Sequence, residues 1–458
     1  MLQLSSKTTA VVIGLGTAGM ATLRDLLRQG VRVKVSDQRA IEAIDPQTLA
    51  FLRDNQVVLE TGAHSAEFIQ GADLVVPGPG VPLDLPVLET ARGQNIPLYG
   101  ELALAAGRFS VPVIAVTGSN GKTTVTSLIG ELLQASGRRP FVGGNIGTPL
   151  LDFFDKPEAY DCAVLELSSF QLDLAGEFRP NIGLLLNITP DHIDRHGSLT
   201  AYTRAKQKLF AHQTPGDLAI LGGDDTTALA TPVASGVPAL SFGRGEQCAA
   251  RVEAGSIVIG ATFGGDEPVV YPLEDTKLAS SVNQLNAAAA VLAATLAGCD
   301  QAGIARGLIR YQPPPHRMAE VAVVDGVRFI NDSKATNIGA LEAALDGCEA
   351  PVILIAGGRD KKSDFTLLQD VVRRRVKALI LLGEAAPLMK EALGSVTKAD
   401  LAATMKAAVI QAFKAASPGD LVLLAPGCAS FDMFSGYAER GEVFAQAVRG
   451  LNNKKEQP

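Results

Sequence analysis

Five cysteines are all the chain has in 458 residues (Cys162, Cys248, Cys299, Cys348 and Cys428), and no two of them form a C-x-x-C pair. An odd, scattered set excludes a zinc site of the usual spacing and fits a reducing compartment. Positive charge is also in short supply: 41 Lys and Arg against 48 Asp and Glu leave a net charge of -7 and a pI near 5.4. That balance argues against a general affinity for nucleic acid or an anionic membrane, so an anionic ligand must be held by local basic side chains and N–H groups. No apolar run is long enough for a bilayer; the Ala-rich stretch 287–298 falls short. Lys7 before the apolar stretch 9–23 imitates a signal peptide, but glycines at 14, 16 and 19 make strand, turn and helix the better reading. What is present, 47% hydrophobic and 19% charged residues, describes a globular chain. At about 150 residues per domain the length suits about three domains. The expectation is a soluble, monomeric, cytoplasmic enzyme.

The sequence is organised around VPVIAVTGSNGKTTVTSLIGELLQASG, residues 111–137. Its apolar run 113–116 reads as a buried strand, and beyond a polar turn Val125, Leu128, Ile129, Leu132 and Leu133 recur at helical spacing. Between them, Gly118, Ser119, Asn120, Gly121, Lys122, Thr123 and Thr124 would form a nest of N–H donors at a helix N-terminus, where the dipole favours a phosphate. Lys122 adds a full charge for the β- and γ-phosphates of ATP, and the Thr123 hydroxyl can reach Mg²⁺. The first glycine of the usual G-x-x-x-x-G-K is missing; Val116 stands there.

Ahead of this loop, Gly14, Gly16 and Gly19 follow a strand, and Asp37 ends the next one. That is the fingerprint of a Rossmann unit and, taken alone, predicts NAD, although the same glycines serve helix–strand packing around any nucleotide. A strand at 73–76 runs into Pro77-Gly78-Pro79-Gly80, another loop at a carboxyl end, where open parallel sheets bind ligands.

Behind the loop, Asn145 sits in a glycine turn and Glu166 in an apolar strand, 162–167, where a carboxylate needs a partner: Mg²⁺ beside the phosphate loop, or an arginine. Asp191, His192, Asp194 and His196 follow the strand 183–188; they read either as ligands for a metal or phosphate, or as helix caps and a solvent histidine. Lys206, unaided, reads as a surface lysine on a helix. Asn283 and Asn286 share one face of a helix starting at 281 and suit either a purine edge or capping and packing. Gln312-Pro313-Pro314-Pro315 breaks the pattern, and βα units then repeat with strands at 327–330, 352–356, 378–382 and 421–424. Their exit loops bring polar and glycine residues to one sheet edge. The expected fold is α/β in three domains: a Rossmann-like segment 1–107, a central P-loop sheet 108–312, and a Rossmann-like segment 313–458.

In order along nearly the whole chain, TGSNGKTT, GGNIG, ELSSFQL, NITPDHIDRHG, YTRAK, HRMAE, NDSKATN and PGCASFDMFSGYAERGEVF resemble the Mur ligases, and NDSKATN with CASFDMF resembles the D-glutamate-adding branch. The resemblance implies ATP-dependent amide formation in peptidoglycan synthesis, with the carboxylate of UDP-N-acetylmuramoyl-L-alanine activated as an acyl phosphate and attacked by D-glutamate. It implies catalytic roles for Lys122, Glu166, His192 and Lys206, with Thr123 and Glu166 on one Mg²⁺ and His192 and a carbamylated Lys206 on a second. Asn283, Asn286, Arg317 and Asp332 would join the phosphate loop on ATP. Thr17, Ala18, Gln38, Arg39, Gly78, Gly80, Asn145 and Ser168 would touch the uridine precursor. Lys334, Thr336, Lys361, Ser430, Phe431 and Tyr437 would receive D-glutamate, with Lys361 the partner of a carboxylate. The glycine-rich N-terminal turn would then hold a uridine diphosphate rather than NAD. Val282, Gly78 and Tyr437 depart from the family's pattern.

Overall fold

The computed structural model describes residues 2–261, 267–348 and 350–452. Short continuous apolar runs, typical of strands covered on both faces, build three sheets. The first is wholly parallel in the order β3-β2-β1-β4, from β1 (Thr9–Ile13), β2 (Arg32–Asp37), β3 (Val58–Thr61) and β4 (Leu74–Pro77). Chain order reverses between β1 and β4, so the exit loops carrying Thr17 and Gly78 flank its switch point.

The second sheet has nine strands in the order β13-β12-β11-β10-β9-β8-β5-β7-β6. Its phosphate-loop strand β5 (Val113–Thr117) lies between β7 (Cys162–Glu166) and β8 (Ile182–Leu185), with β6 (Pro140–Gly144) at one edge. Beyond β8 come β9 (Leu218–Gly222), β10 (Ala239–Gly243) and β11 (Ala250–Glu253), then β12 (Ser256–Ile259) and β13 (Val269–Pro272), which turn antiparallel. The third sheet runs β14-β15-β19-β16-β17-β18: β14 (Ala319–Val324) is antiparallel to β15 (Val327–Asn331), while β16 (Val352–Ala356), β17 (Val376–Leu381), β18 (Ala399–Leu401) and β19 (Leu421–Leu424) are parallel. Apolar clusters cover both of its faces, one around Leu341, Leu354 and Leu379, the other around Phe329, Ile355 and Phe444.

These sheets fall into two compact units. One comprises residues 1–188, 203–276 and 285–311 and holds the first two sheets; the other comprises 189–202, 277–284 and 312–458 and holds the third. No helix among the described residues is long and apolar enough to cross a membrane. All five cysteines are unpaired, and Cys162, Cys248, Cys348 and Cys428 are buried.

Candidate active site

In the first unit, the run from β5 into the Lys122–Ala135 helix fixes the loop between them. The helix buries Val125, Leu128, Ile129, Leu132 and Leu133, the spacing that faces one side of a 3.6-residue turn. Its N-cap, Gly121, has φ +84°, and a Cβ there would lie 2.4 Å from Asn286 Oδ1, so only glycine fits both backbone and neighbour. Asn286, from the Ser281–Leu296 helix, is thereby placed on the loop. Lys122 folds back, its Nζ donating to Gly118 O and Ser119 O at 2.9 Å each.

Asn187 clamps the loop from the other side, and it was not among the residues the sequence nominated. Its Oδ1 accepts from Asn120 N at 2.8 Å, its Nδ2 donates to Asn120 O at 3.2 Å, and its carbonyl accepts from Ser119 N at 3.0 Å. The only signal available beforehand was its place as a polar residue at the end of the apolar stretch 183–188, beside the Asp–His cluster; the strand itself ends at Leu185.

Pairing of β5 with β7 sets Val116 opposite Glu166, at the strand end from which the phosphate loop departs. Glu166 is 2% exposed. Its Oε1 accepts from Asn145 Nδ2 at 2.8 Å, and its Oε2 has no hydrogen-bond partner among the described residues. A buried, half-satisfied carboxylate at the mouth of a phosphate loop is what a hard divalent cation with oxygen ligands completes, so the residues present fit Mg²⁺. Of the two partners considered from sequence, no arginine takes that oxygen. Asn145 therefore orients Glu166, and Thr123 stands in the first turn of the Lys122–Ala135 helix.

The surface-lysine reading of Lys206 is wrong. Its side chain is 1% exposed and Nζ donates to Gly118 O at 2.6 Å, because the Leu199–Gln207 helix lays that face on the phosphate loop. Thr123, Glu166 and Lys206 thus share the first unit, while His192 belongs to the second.

At the first sheet, Thr17 and Ala18 open the Thr17–Arg28 helix, whose N-cap Gly16 makes no side-chain cap bond. Gly19 serves packing: a Cβ would fall 1.9 Å from Gly14 O. Gly16 has open space instead, the condition for a ligand to approach the backbone. Asp37 is already engaged, its Oδ2 accepting from Leu15 N at 2.7 Å and its Oδ1 from Arg39 N at 2.9 Å and Nε at 2.8 Å. Burial opposes its ionisation, but these bonds from Arg39 and Leu15 prevail and hold the pKa at about 2. Gln38 and Gly80 are exposed and Gly78 partly so; Gly78 N bonds back to Ile13 O at 2.9 Å. Ser168 caps the Ser169–Asp173 helix in a reciprocal box with Gln171.

In the second unit, Asp191 is the centre of a part-buried cluster: Lys361 Nζ donates to its Oδ1 at 3.0 Å and Asn337 Nδ2 to its Oδ2 at 3.0 Å. Burial pushes this carboxyl's pKa up, yet the charges of Lys361 and His192 and the bonds from Lys361 and Asn337 outweigh it and leave it lowered. The carboxylate that Lys361 meets is thus the chain's own. His192 holds a left-handed φ of 54°, strain of the kind that collects at functional sites. Asp332 accepts from Met318 N at 3.2 Å, and burial lifts its pKa to about 6 against that bond and the nearby Arg317 charge. Lys334 Nζ lies 4.0 Å from the centre of the Tyr437 ring. Thr336 is partly buried, Ser430 is buried and Phe431 is exposed. Asn283, on the same helix as Asn286, falls in this unit. A second residue the sequence reading left out, Arg440, is buried and donates to Ser333 O and Oγ and to the Cys428 and Ala429 carbonyls, tying the loops that carry Lys334 and Ser430.

Three family models match in succession: the Mur ligase MurD-like N-terminal domain over residues 8–100, the Mur ligase middle domain over 116–294, and the Mur ligase glutamate ligase domain over 316–428. A UDP-N-acetylmuramoylalanine--D-glutamate ligase of Desulfotalea psychrophila is 45% identical over 98% of this chain and 98% of its own. The chain belongs to the Mur ligase family. Another Mur ligase of the same name, from Desulfosudis oleivorans, is 41% identical over 96% of each chain. Among solved structures, the MurF ligase of Thermotoga maritima in complex with ADP shares the Mur ligase fold at a TM-score of 0.61 and 18% identity, covering 99% of this chain and 98% of that one. Membership overturns the nicotinamide reading of the N-terminal glycines, and Asp37 supplies the physical reason: its oxygens hold the Leu15–Arg39 turn and are not spare for a ribose.

Proposed function

We propose that this Mur ligase joins D-glutamate to UDP-N-acetylmuramoyl-L-alanine at the expense of ATP, in the cytoplasmic phase of peptidoglycan precursor synthesis. The unpaired, buried Oε2 of Glu166 beside the Lys122 loop is the observation that carries the chemistry. The choice of substrates follows the names of relatives 45% and 41% identical over nearly their full length.

A carboxylate is a poor electrophile, so its oxygen first attacks the γ-phosphorus of ATP and ADP leaves. The amine of D-glutamate then attacks the acyl carbon, and the tetrahedral species expels phosphate. Positioning and charge neutralisation dominate the first step. Lys122, now folded onto the loop carbonyls, would turn to the β- and γ-phosphates, and Asn286 would line the nucleotide side of Gly121. Thr123 and Glu166 would hold one Mg²⁺, and His192 with Lys206 a second. Bound Mg²⁺ supplies charge against the transferring phosphoryl group. A carbamate on Lys206 keeps one N–H for Gly118 O while presenting anionic oxygens, so the observed hydrogen bond is compatible with that modification.

Residues 1–107 would take the uridine precursor, 108–312 ATP, and 313–458 D-glutamate with part of ATP. A mass assay of products across a panel of amino acids tests the whole reading. Phosphate release is expected only when the precursor and D-glutamate are both supplied; efficient turnover with L-lysine or diaminopimelate overturns it.

A further inference from the structure

Glu101 is a buried carboxyl that the proposed chemistry does not use. It opens the Glu101–Ala105 helix, is 4% exposed, and its Oε1 accepts from Gln171 Nε2 at 2.5 Å. Gln171, itself 4% exposed, faces Ser168 with its other end: its Oε1 accepts from Ser168 N at 2.8 Å and from Ser168 Oγ at 3.0 Å. Ser168 follows directly on Glu166 and Leu167, and Leu167 is bonded to the phosphate-loop strand through N to Val116 O at 2.8 Å.

The amide of Gln171 has two orientations of nearly equal shape, and only one of them caps Ser168. Turned over, it would set its NH₂ against the Ser168 N–H and lose the reciprocal box. Glu101 Oε1 on the far side decides between them: with any proton of the acid on Oε2, which has no hydrogen-bond partner among the described residues, Oε1 accepts from an NH₂ and repels a carbonyl oxygen. Asp152, the charged group that acts on Glu101, does not compete for this role: it lies in the Leu150–Asp155 turn and is held by Arg24 at 2.8 Å.

We propose that Glu101 is a positioning residue for the precursor: acting through Gln171, it fixes Ser168 and the turn that leads out of β7 beside Glu166. This rests on the placement of the uridine precursor at Ser168 proposed above.

The experiment is calorimetric titration of the full chain with UDP-N-acetylmuramoyl-L-alanine. Glu101→Leu removes the acceptor and is expected to weaken binding about fivefold, the scale of one lost hydrogen bond; Glu101→Gln, whose carbonyl still accepts, stays within about twofold. Gln171→Leu reads the same link from its other end, and the double variant Glu101→Leu/Gln171→Leu should bind no more weakly than Gln171→Leu alone. Wild-type affinity in Glu101→Leu or in Gln171→Leu, equal losses in Glu101→Leu and Glu101→Gln, or additive losses in the double variant each overturn the proposal while leaving the proposed function standing. A wild-type chain that does not bind the precursor overturns both.

Discussion

Glu166 and Asp191 show how differently two buried carboxylates are satisfied. Glu166 has one oxygen on Asn145 and one with no hydrogen-bond partner among the described residues, whereas Asp191 has a lysine on one oxygen and an amide on the other. Glu166→Gln is therefore expected to lower phosphate release by about 10²–10³-fold, while thermal denaturation shows the fold intact, since the side chain keeps its shape and an oxygen for Asn145. A variant of unchanged activity would remove Glu166 from the chemistry. Lys361→Ala leaves Asp191 with Asn337 and the neighbouring His192 alone and should destabilise by about 2 kcal/mol, the scale of one hydrogen bond to a charged group, read by urea unfolding. Adding Asp191→Asn should restore most of that stability without restoring the affinity for D-glutamate. If the double variant recovers both, Lys361 holds Asp191 and nothing else.

Among elements, strand positions were the most legible part of the sequence. The apolar runs at 113–116, 162–167 and 421–424 became β5, β7 and β19 within a residue or so, because a short bounded apolar run has few other outcomes in a parallel sheet. Side-chain partners were much less so. Lys206 lies on a helix as expected, but its burial depends on which loop that helix covers, which local spacing does not contain. Asn187 and Arg440 escaped notice for the same reason: each bonds backbone atoms distant in sequence. At the phosphate loop, Gly121→Ala combines a left-handed φ with an approach to Asn286, and is expected to destabilise by more than about 1 kcal/mol and to raise the KM for ATP in steady-state assays.

The Glu101–Ala105 helix brings a pH dependence of its own. Burial first, with Asp152 adding to it and the Gln171 bond opposing, lifts the Glu101 pKa from 4.5 to about 7. Between those values the unfolded chain has lost a proton that the folded chain keeps. Folding stability therefore falls as pH rises through that window and levels off above it. Glu101→Gln should abolish this slope, its advantage over wild type growing to at most about 3 kcal/mol above pH 7 and vanishing below about pH 4.5. Equal pH profiles of melting temperature for the two chains would contradict this origin.

For the whole molecule, three sheets lie in two units, and the division is not sequential: 189–202 and 277–284 group with the C-terminal sheet. A linear reading of composition finds boundaries where the pattern breaks, as at Gln312, but cannot see a short segment leave one body and join another. The proline run is visible because it interrupts periodicity; the Asp191–His192 segment is not, because nothing in its residues records which sheet it packs on.

The buried thiols have a practical side. Burial, with neighbouring carboxylates adding to it, pushes Cys162 and Cys428 up to about 12 and Cys348 up to about 11. At neutral pH these sulfurs stay protonated, and the nucleophile that electrophilic reagents require is scarcely formed. Inhibitor chemistry directed at this ligase would gain little from acrylamide or chloroacetamide warheads aimed at those three positions, and reversible contacts at the phosphate loop are the sounder starting point.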